Sequence, residues 1–195
     1  MREGSTRRRR NGGGAGRQHP RPPRDDRPEP EAEPEAVARS ICLTQLEHAP
    51  RTRAELAAVL AERGVPDDAA EAVLGRFAEV GLIDDALFAR QWVESRHRGR
   101  GLARTALRSE LRRKGVDDED VAAAVEGLDP ETELATARSL VARKLASTRG
   151  LETQARVRRL VGMLARKGYP AGTAFRVVRE ALAEDGDEGE VPELE

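Results

Sequence analysis

Cysteine occurs once, at Cys42, histidine three times, and aromatic side chains make up only 3% of the 195 residues. A lone thiol closes no intrachain disulfide. A zinc centre needs several Cys or His ligands, and Cys42, His19, His48 and His97 are scattered without ligand spacing. Cys42 reads as a small core hydrophobe. No run of about 18 to 20 apolar residues is available to span a bilayer, and the basic N-terminus is not followed by an apolar leader segment. A cytoplasmic protein with no membrane association is the expectation. Few aromatic residues, with Leu and Ala dominating the apolar set, favour helices over a β-sandwich.

Catalytic equipment is equally sparse. No phosphate-loop pattern is present, since neither Gly99–Gly101 nor Gly162–Gly168 is followed by Lys and Ser or Thr in the required places. The acidic pairs Asp84, Asp85 and Asp117, Asp118 suit helix starts, where carboxylates cap free N–H groups. The expectation is therefore no enzyme, no metal and no cofactor.

The near-zero net charge of −1 conceals segregation. Residues 1–24 hold eight arginines against Glu3 alone, together with the run Gly12–Gly14, and six prolines lie between 20 and 34. Residues 184–195 hold seven carboxylates and no basic residue. Neither composition buries enough apolar surface to offset chain entropy. These ends read as a disordered basic arm, 1–34, and a disordered acidic tail, 184–195.

Between them one unit is used three times. Leu56, Leu60, Arg63, Gly64, Val65 aligns with Leu107, Leu111, Lys114, Gly115, Val116 and with Leu160, Leu164, Lys167, Gly168, Tyr169. Ten residues past each glycine stands Leu74, Val125 or Val178. Leucines one turn apart describe a helix with one buried side, closed by a basic residue and a glycine able to adopt positive φ. A second helix follows each glycine, starting at Pro66–Asp68, Asp117–Glu119 or Pro170. A leading helix precedes each pair, over 35–48, 84–98 and 130–147. Thr52 with Glu55 forms a capping-box pattern. The fold class is all-α: three tandem three-helix repeats, 35–82, 83–128 and 129–183, in an elongated, slightly curved body. A module of about 50 residues has a small core, so neighbouring copies are expected to stack and share contacts.

Charge differs between the copies. Residues 90–114 carry nine Lys or Arg against Glu94 and Glu110, and 138–167 carry nine against Glu152. Residues 51–89 reverse the sign, with eight carboxylates and four arginines. Arg104, Arg108 and Arg112 recur every fourth residue, a stripe turned away from Leu107 and Leu111. Two basic segments in succession form the footprint of a surface that docks on a polyanion or an acidic protein groove. Trp92, Phe77, Phe88 and Phe175 fall at core spacing, leaving Tyr169 as the aromatic residue expected to be exposed. Nucleic-acid contact is therefore expected to be to phosphates rather than to stacked bases.

The segment Gly81-Leu-Ile-Asp-Asp-Ala-Leu-Phe-Ala-Arg90, the basic run after it, and Leu107-Arg-Ser-Glu-Leu-Arg-Arg-Lys-Gly115-Val116 resemble the RecX family, bacterial regulators of the RecA recombinase. The resemblance covers about 41–182 and leaves out the arm and the tail. It implies three three-helix repeats, binding in the groove of the RecA filament, and inhibition of recombinase and ATPase activity, hence modulation of recombination and DNA repair. It implies no catalytic residue and no cofactor. Joined to the charge pattern, it makes Arg98, Arg100, Arg104, Arg108, Arg112, Arg113, Lys114, Arg156 and Arg159 the expected surface for RecA or for DNA phosphates. Reversing Arg104, Arg108 and Arg112 to Glu is expected to leave the fold intact. DNA binding is expected to be weak and non-specific, on single strands or duplex, by a monomer. The alternative is a helix-turn-helix-like DNA-binding regulator contacting phosphates.

Overall fold

The computed structural model describes residues 33–186, and every regular element among them is helical. The expectations for the basic arm up to residue 32 and for the tail from residue 187 lie outside these residues. Helices α1 (Pro34–His48), α2 (Arg53–Glu62) and α3 (Asp67–Glu79) form the first module. Helices α4 (Asp85–Arg100), α5 (Arg104–Arg113) and α6 (Asp118–Glu126) form the second. The third comprises α7 (Pro130–Leu145), a 3-10 turn at Ala146–Thr148, α8 (Thr153–Arg166) and α9 (Ala171–Glu184). The ordered body thus runs past the expected start of the tail at 184, because α9 reaches Glu184 and Asp185 is tied back onto the module.

Acidic residues and a threonine cap the helix starts. Thr52 and Glu55 make the full capping box. Asp84 accepts from the Leu87 N–H at 2.7 Å, Asp117 from Asp120 at 2.9 Å and Asp129 from Thr132 at 2.8 Å, each satisfying a donor the helix cannot use internally.

Each middle helix ends in the same way. The N–H of Val65, Val116 or Tyr169 reaches back to the carbonyl of Leu60, Leu111 or Leu164. The intervening Gly64, Gly115 and Gly168 stand at φ 72°, 75° and 86°. This Schellman closure needs the left-handed conformation that a Cβ disfavours, which accounts for the glycine in all three copies.

The apolar residues gather into three cores, one per module. Cys42, Leu56, Leu60 and Leu74 lie in the first, Leu107, Leu111, Val121 and Val125 in the second, and Leu160, Leu164, Val178 and Leu182 in the third. Two residues cross between cores: Ala103, which opens α5, is buried in the third core, and Ile83, just before α4, is buried in the first.

What joins the modules is a repeated polar seat. The turn closing α5 sits on the start of α2: the Thr52 hydroxyl donates to the Lys114 carbonyl at 2.6 Å, and Lys114 Nζ donates to Glu55 at 2.6 Å. The turn closing α8 sits on the start of α5 in the same manner, with Ala103 N–H donating to the Lys167 carbonyl at 2.8 Å. A carboxylate from the following leading helix completes each seat. Asp85 accepts the Arg53 N–H at 2.9 Å, and Glu133 accepts the Arg104 N–H at 2.8 Å.

Candidate functional site

The stripe of Arg104, Arg108 and Arg112 is split by the packing. Arg104 is three-quarters covered: Nη1 pairs with Glu133 at 3.1 Å, Nη2 donates to the Leu128 carbonyl and Nε donates to the Val125 carbonyl at 3.4 Å. It ties the end of α6 to α7. Reversing it to Glu would place a carboxylate beside Glu133 and strand those carbonyls, so the expected intact fold does not follow. Arg112 is exposed but pairs with Asp118 at 2.7 Å. Arg108 has no ion-pair partner among the described residues.

The other expected surface residues divide likewise. Lys114 is held in the first seat by Glu55 and lies 4.4 Å over the Trp92 ring. Arg98 is exposed and pairs with Glu94 one turn earlier. Arg113 donates to the Ser109 carbonyl at 3.1 Å. Arg156 is a correction, being buried at 5% exposure, with Nη2 2.6 Å from Asp185 and Nε 3.3 Å from the Thr148 hydroxyl. Hydrogen bonds from Arg149 and then Arg156 hold the Asp185 carboxyl down at about 2. Arg100 and Arg159 are exposed and form no ion pair among the described residues.

Tyr169 is also a correction. It is 4% exposed and its hydroxyl donates to the Gly101 carbonyl at 3.2 Å. Burial, with a contribution from the charge of Glu133, pushes its hydroxyl up to about 12. The repeat pattern carried the signal, because Tyr169 occupies the place of Val65 and Val116, which are both buried. Arg156 likewise occupies the place of the buried Thr52 and Ala103, four residues before the first leucine of its helix.

Three cations without an ion pair among the described residues, Arg100, Arg143 and Arg166, converge where the second and third modules meet. Gly101, at φ 63°, ends α4 so that the chain lies against α7, where an added Cβ would fall 2.9 Å from Leu140. Beside this turn opens a cleft of about 550 Å³ lined by Arg98, Arg100, Arg143, Arg166 and Lys167, with no carboxylate among the described residues of its lining. Lys167 donates to the Arg100 carbonyl across it. Arg100, Arg143 and Arg166 have no ion-pair partner among the described residues. Arg100, Arg143 and Arg166, like charges with no paired carboxylate, repel one another, and an anion entering the cleft relieves that repulsion.

Two neighbouring features extend the cleft. Arg166 is shared with a depression that also reaches Lys144 and Arg159. Arg98, Thr136 and Arg143 are shared with a second cleft, of about 830 Å³, which has Val93, Ala124, Leu128 and Ala135 in its lining together with Arg90 and Glu94. His97 lies buried at this border, its Nδ1 2.9 Å from the Leu102 carbonyl and its Nε2 2.9 Å from the Thr136 hydroxyl. Because a carbonyl only accepts, Nδ1 carries the proton. Sequence reasoning missed Arg143, Arg166 and Lys167; each belongs to a basic segment, but only the α4–α7–α8 packing brings them together.

Among the described residues no group of three His, Cys, Asp or Glu could hold a metal ion, and none of their helices is long and apolar enough to cross a membrane. The helices after the glycines open on acidic turns in the first two modules, Asp67–Asp68 and Asp118–Asp120. Carboxylates at that place would meet DNA phosphates in a helix-turn-helix docking, which disfavours that geometry.

The family models for the first, second and third three-helix domains of RecX match residues 38–77, 84–125 and 131–178. The chain is 58% identical over 175 residues to the regulatory protein RecX of Thermobifida fusca, covering 88% of this chain and 95% of that one. It is 58% identical over 167 residues to the regulatory protein RecX of Streptomyces coelicolor, covering 86% and 89%. The crystal structure of RecX from Lactobacillus salivarius superposes with a TM-score of 0.71 over 76% of this chain and 97% of that one, and at 17% identity shows likeness of fold.

Proposed function

This chain belongs to the RecX family of regulatory proteins, and from that premise we propose that it binds the RecA–DNA filament along its groove and restrains recombinase and ATPase activity, so modulating recombination and DNA repair. It does so without catalysis of its own, as a cytoplasmic monomer. The observation that carries the reading is the cation-lined, carboxylate-free cleft between the second and third modules, which suits a polyanionic or acidic partner.

The three modules divide the work by charge. The first, with its excess of carboxylates, is repelled by phosphates and faces protein. The second and third present Arg98, Arg100, Arg143, Arg166 and Lys167 to acidic RecA surface or to the bound strand. Arg108 and Arg159 add exposed or half-exposed charge beyond the cleft. Arg104, Lys114 and Arg156 hold the modules in shape and contribute to docking only through that. Strand exchange and ATP turnover are then obstructed by occupation of the groove.

The test is binding of the labelled full chain to preformed RecA filaments and to naked DNA over a salt series. Tight filament binding with weak, salt-sensitive binding to naked DNA is the expected result. Sequence-selective duplex binding without RecA would overturn it in favour of a DNA-binding regulator.

A further inference from the structure

We propose that the junction of the second and third modules is a nucleotide-sized subsite for single-stranded nucleic acid, with the backbone phosphate in the cationic cleft and the base in the apolar cleft beside it. The inference rests on the reading that the chain engages a DNA-loaded filament, and names what the junction would grip there.

Two adjoining chambers carry it. One is lined by five cations and, among the described residues, no carboxylate; the other combines an apolar patch of Val93, Ala124, Leu128 and Ala135 with Arg90, Glu94, Arg98 and Arg143 in its lining. Arg98, Thr136 and Arg143 border both, so a ligand spanning them has a charged part and an apolar part joined at that border. Volumes of about 550 and 830 Å³ lie in the range of small-molecule sites. A nucleotide with an unpaired, unstacked base meets these demands. A duplex keeps its bases stacked inside and could offer the apolar chamber nothing. Successive phosphates of the strand would continue toward Arg159 and Lys144, which share a depression with Arg166. The base is gripped by aliphatic side chains, since among the described residues no Phe, Tyr or Trp lines either cleft, and base selectivity should be low.

The full chain is titrated by fluorescence anisotropy with three probes: an oligothymidylate, an abasic phosphodiester of equal length, and a duplex. Wild type should prefer the oligothymidylate over both others, by roughly threefold or more. Arg143→Glu and Arg166→Glu should weaken both single-stranded probes, and the salt slope should fall by about 0.7 for each phosphate no longer neutralised. Ala135→Trp, on an exposed position, should fill the apolar chamber and bring oligothymidylate binding down to the abasic level, with abasic binding unchanged. Equal affinity for the oligothymidylate and the abasic strand in wild type, or a preference untouched by Ala135→Trp, overturns the proposal. Circular dichroism and thermal melting of each variant separate weakened binding from a damaged fold. Failure of wild type to bind RecA filaments would instead reject the filament reading while the oligonucleotide comparison still decides the subsite.

Discussion

Nη2 of Arg156 lies 2.6 Å from the Asp185 carboxylate, in the place where the other two modules receive their neighbour. Thr52 and Ala103, its counterparts four residues before the first leucine, meet the carbonyls of Lys114 and Lys167 from the next module. No fourth module follows among the described residues, and Asp185, just past the end of α9, takes that place, reinforced by Arg149 at 2.7 Å. A terminal repeat in an array needs such a polar closure. The ion pair thus fills, at the third module, the seat that the first two modules offer to the next one.

The closure sets a pH dependence. Asp185 is held at about 2 in the folded chain, below the roughly 3.9 of an unfolded aspartate. Its contribution to stability is thus fully present above about pH 4 and fades as pH falls toward 2. Asp185→Asn should melt lower than wild type at neutral pH, with the gap narrowing through that window. Thermal melts at stepped pH check it, and a gap constant down to pH 2 would contradict the assignment.

The seat predicts unequal costs for one substitution at three equivalent glycines. All three have positive φ, so alanine costs roughly 1–2 kcal/mol at each. A Cβ on Gly64 meets nothing within 4 Å, whereas on Gly115 it falls 2.2 Å from the Ala54 Cβ and on Gly168 it falls 2.5 Å from the Ala106 backbone nitrogen. Overpacking adds about 1–3 kcal/mol at the latter two. Urea denaturation of the full chain should order Gly64→Ala as mildest, and equal losses would mean that the turns do not bear on the seats.

Arg104 and Arg108, one turn apart, should behave as different kinds of residue. Arg104→Ala strands the Leu128 carbonyl and Glu133 and should cost on the order of 1–3 kcal/mol. Arg108→Ala removes no ion pair and should stay within about 0.5 kcal/mol. The measurement is the denaturant midpoint of each variant beside wild type.

Much of the fold was legible because it depends on short-range rules. The Leu–Leu–Gly spacing marked the middle helices, and Thr52, Asp84, Asp117 and Asp129 cap where capping chemistry places them. Burial was also readable for Tyr169 and Arg156 from their aligned positions, Val65 and Val116 for one, Thr52 and Ala103 for the other. Residue type misled there, since a hydroxyl or guanidinium suggests a surface unless a partner such as the Gly101 carbonyl or Asp185 is known. The cleft was not legible. Arg98 and Arg166 are far apart along the chain, and their meeting depends on the angle at which α8 seats on α5, which no local pattern encodes.

An unneutralised cleft should respond to anions before any partner is added. Inorganic polyphosphate should raise the melting temperature of the full chain in proportion to the logarithm of its concentration once above its Kd. Arg143→Glu should reduce that rise while melting normally in its absence. No shift with polyphosphate would mean that the cations are fully solvated and do not act together.

The most direct measurement is the single-strand-stimulated ATP turnover of RecA with this chain added below one copy per RecA subunit. Turnover should fall progressively with wild type and with Arg112→Ala, whose partner is Asp118, while the double variant Arg143→Glu, Arg166→Glu should require several-fold more protein. Turnover unchanged by wild type, or inhibited equally by the folded double variant, would contradict regulation of RecA through this cleft.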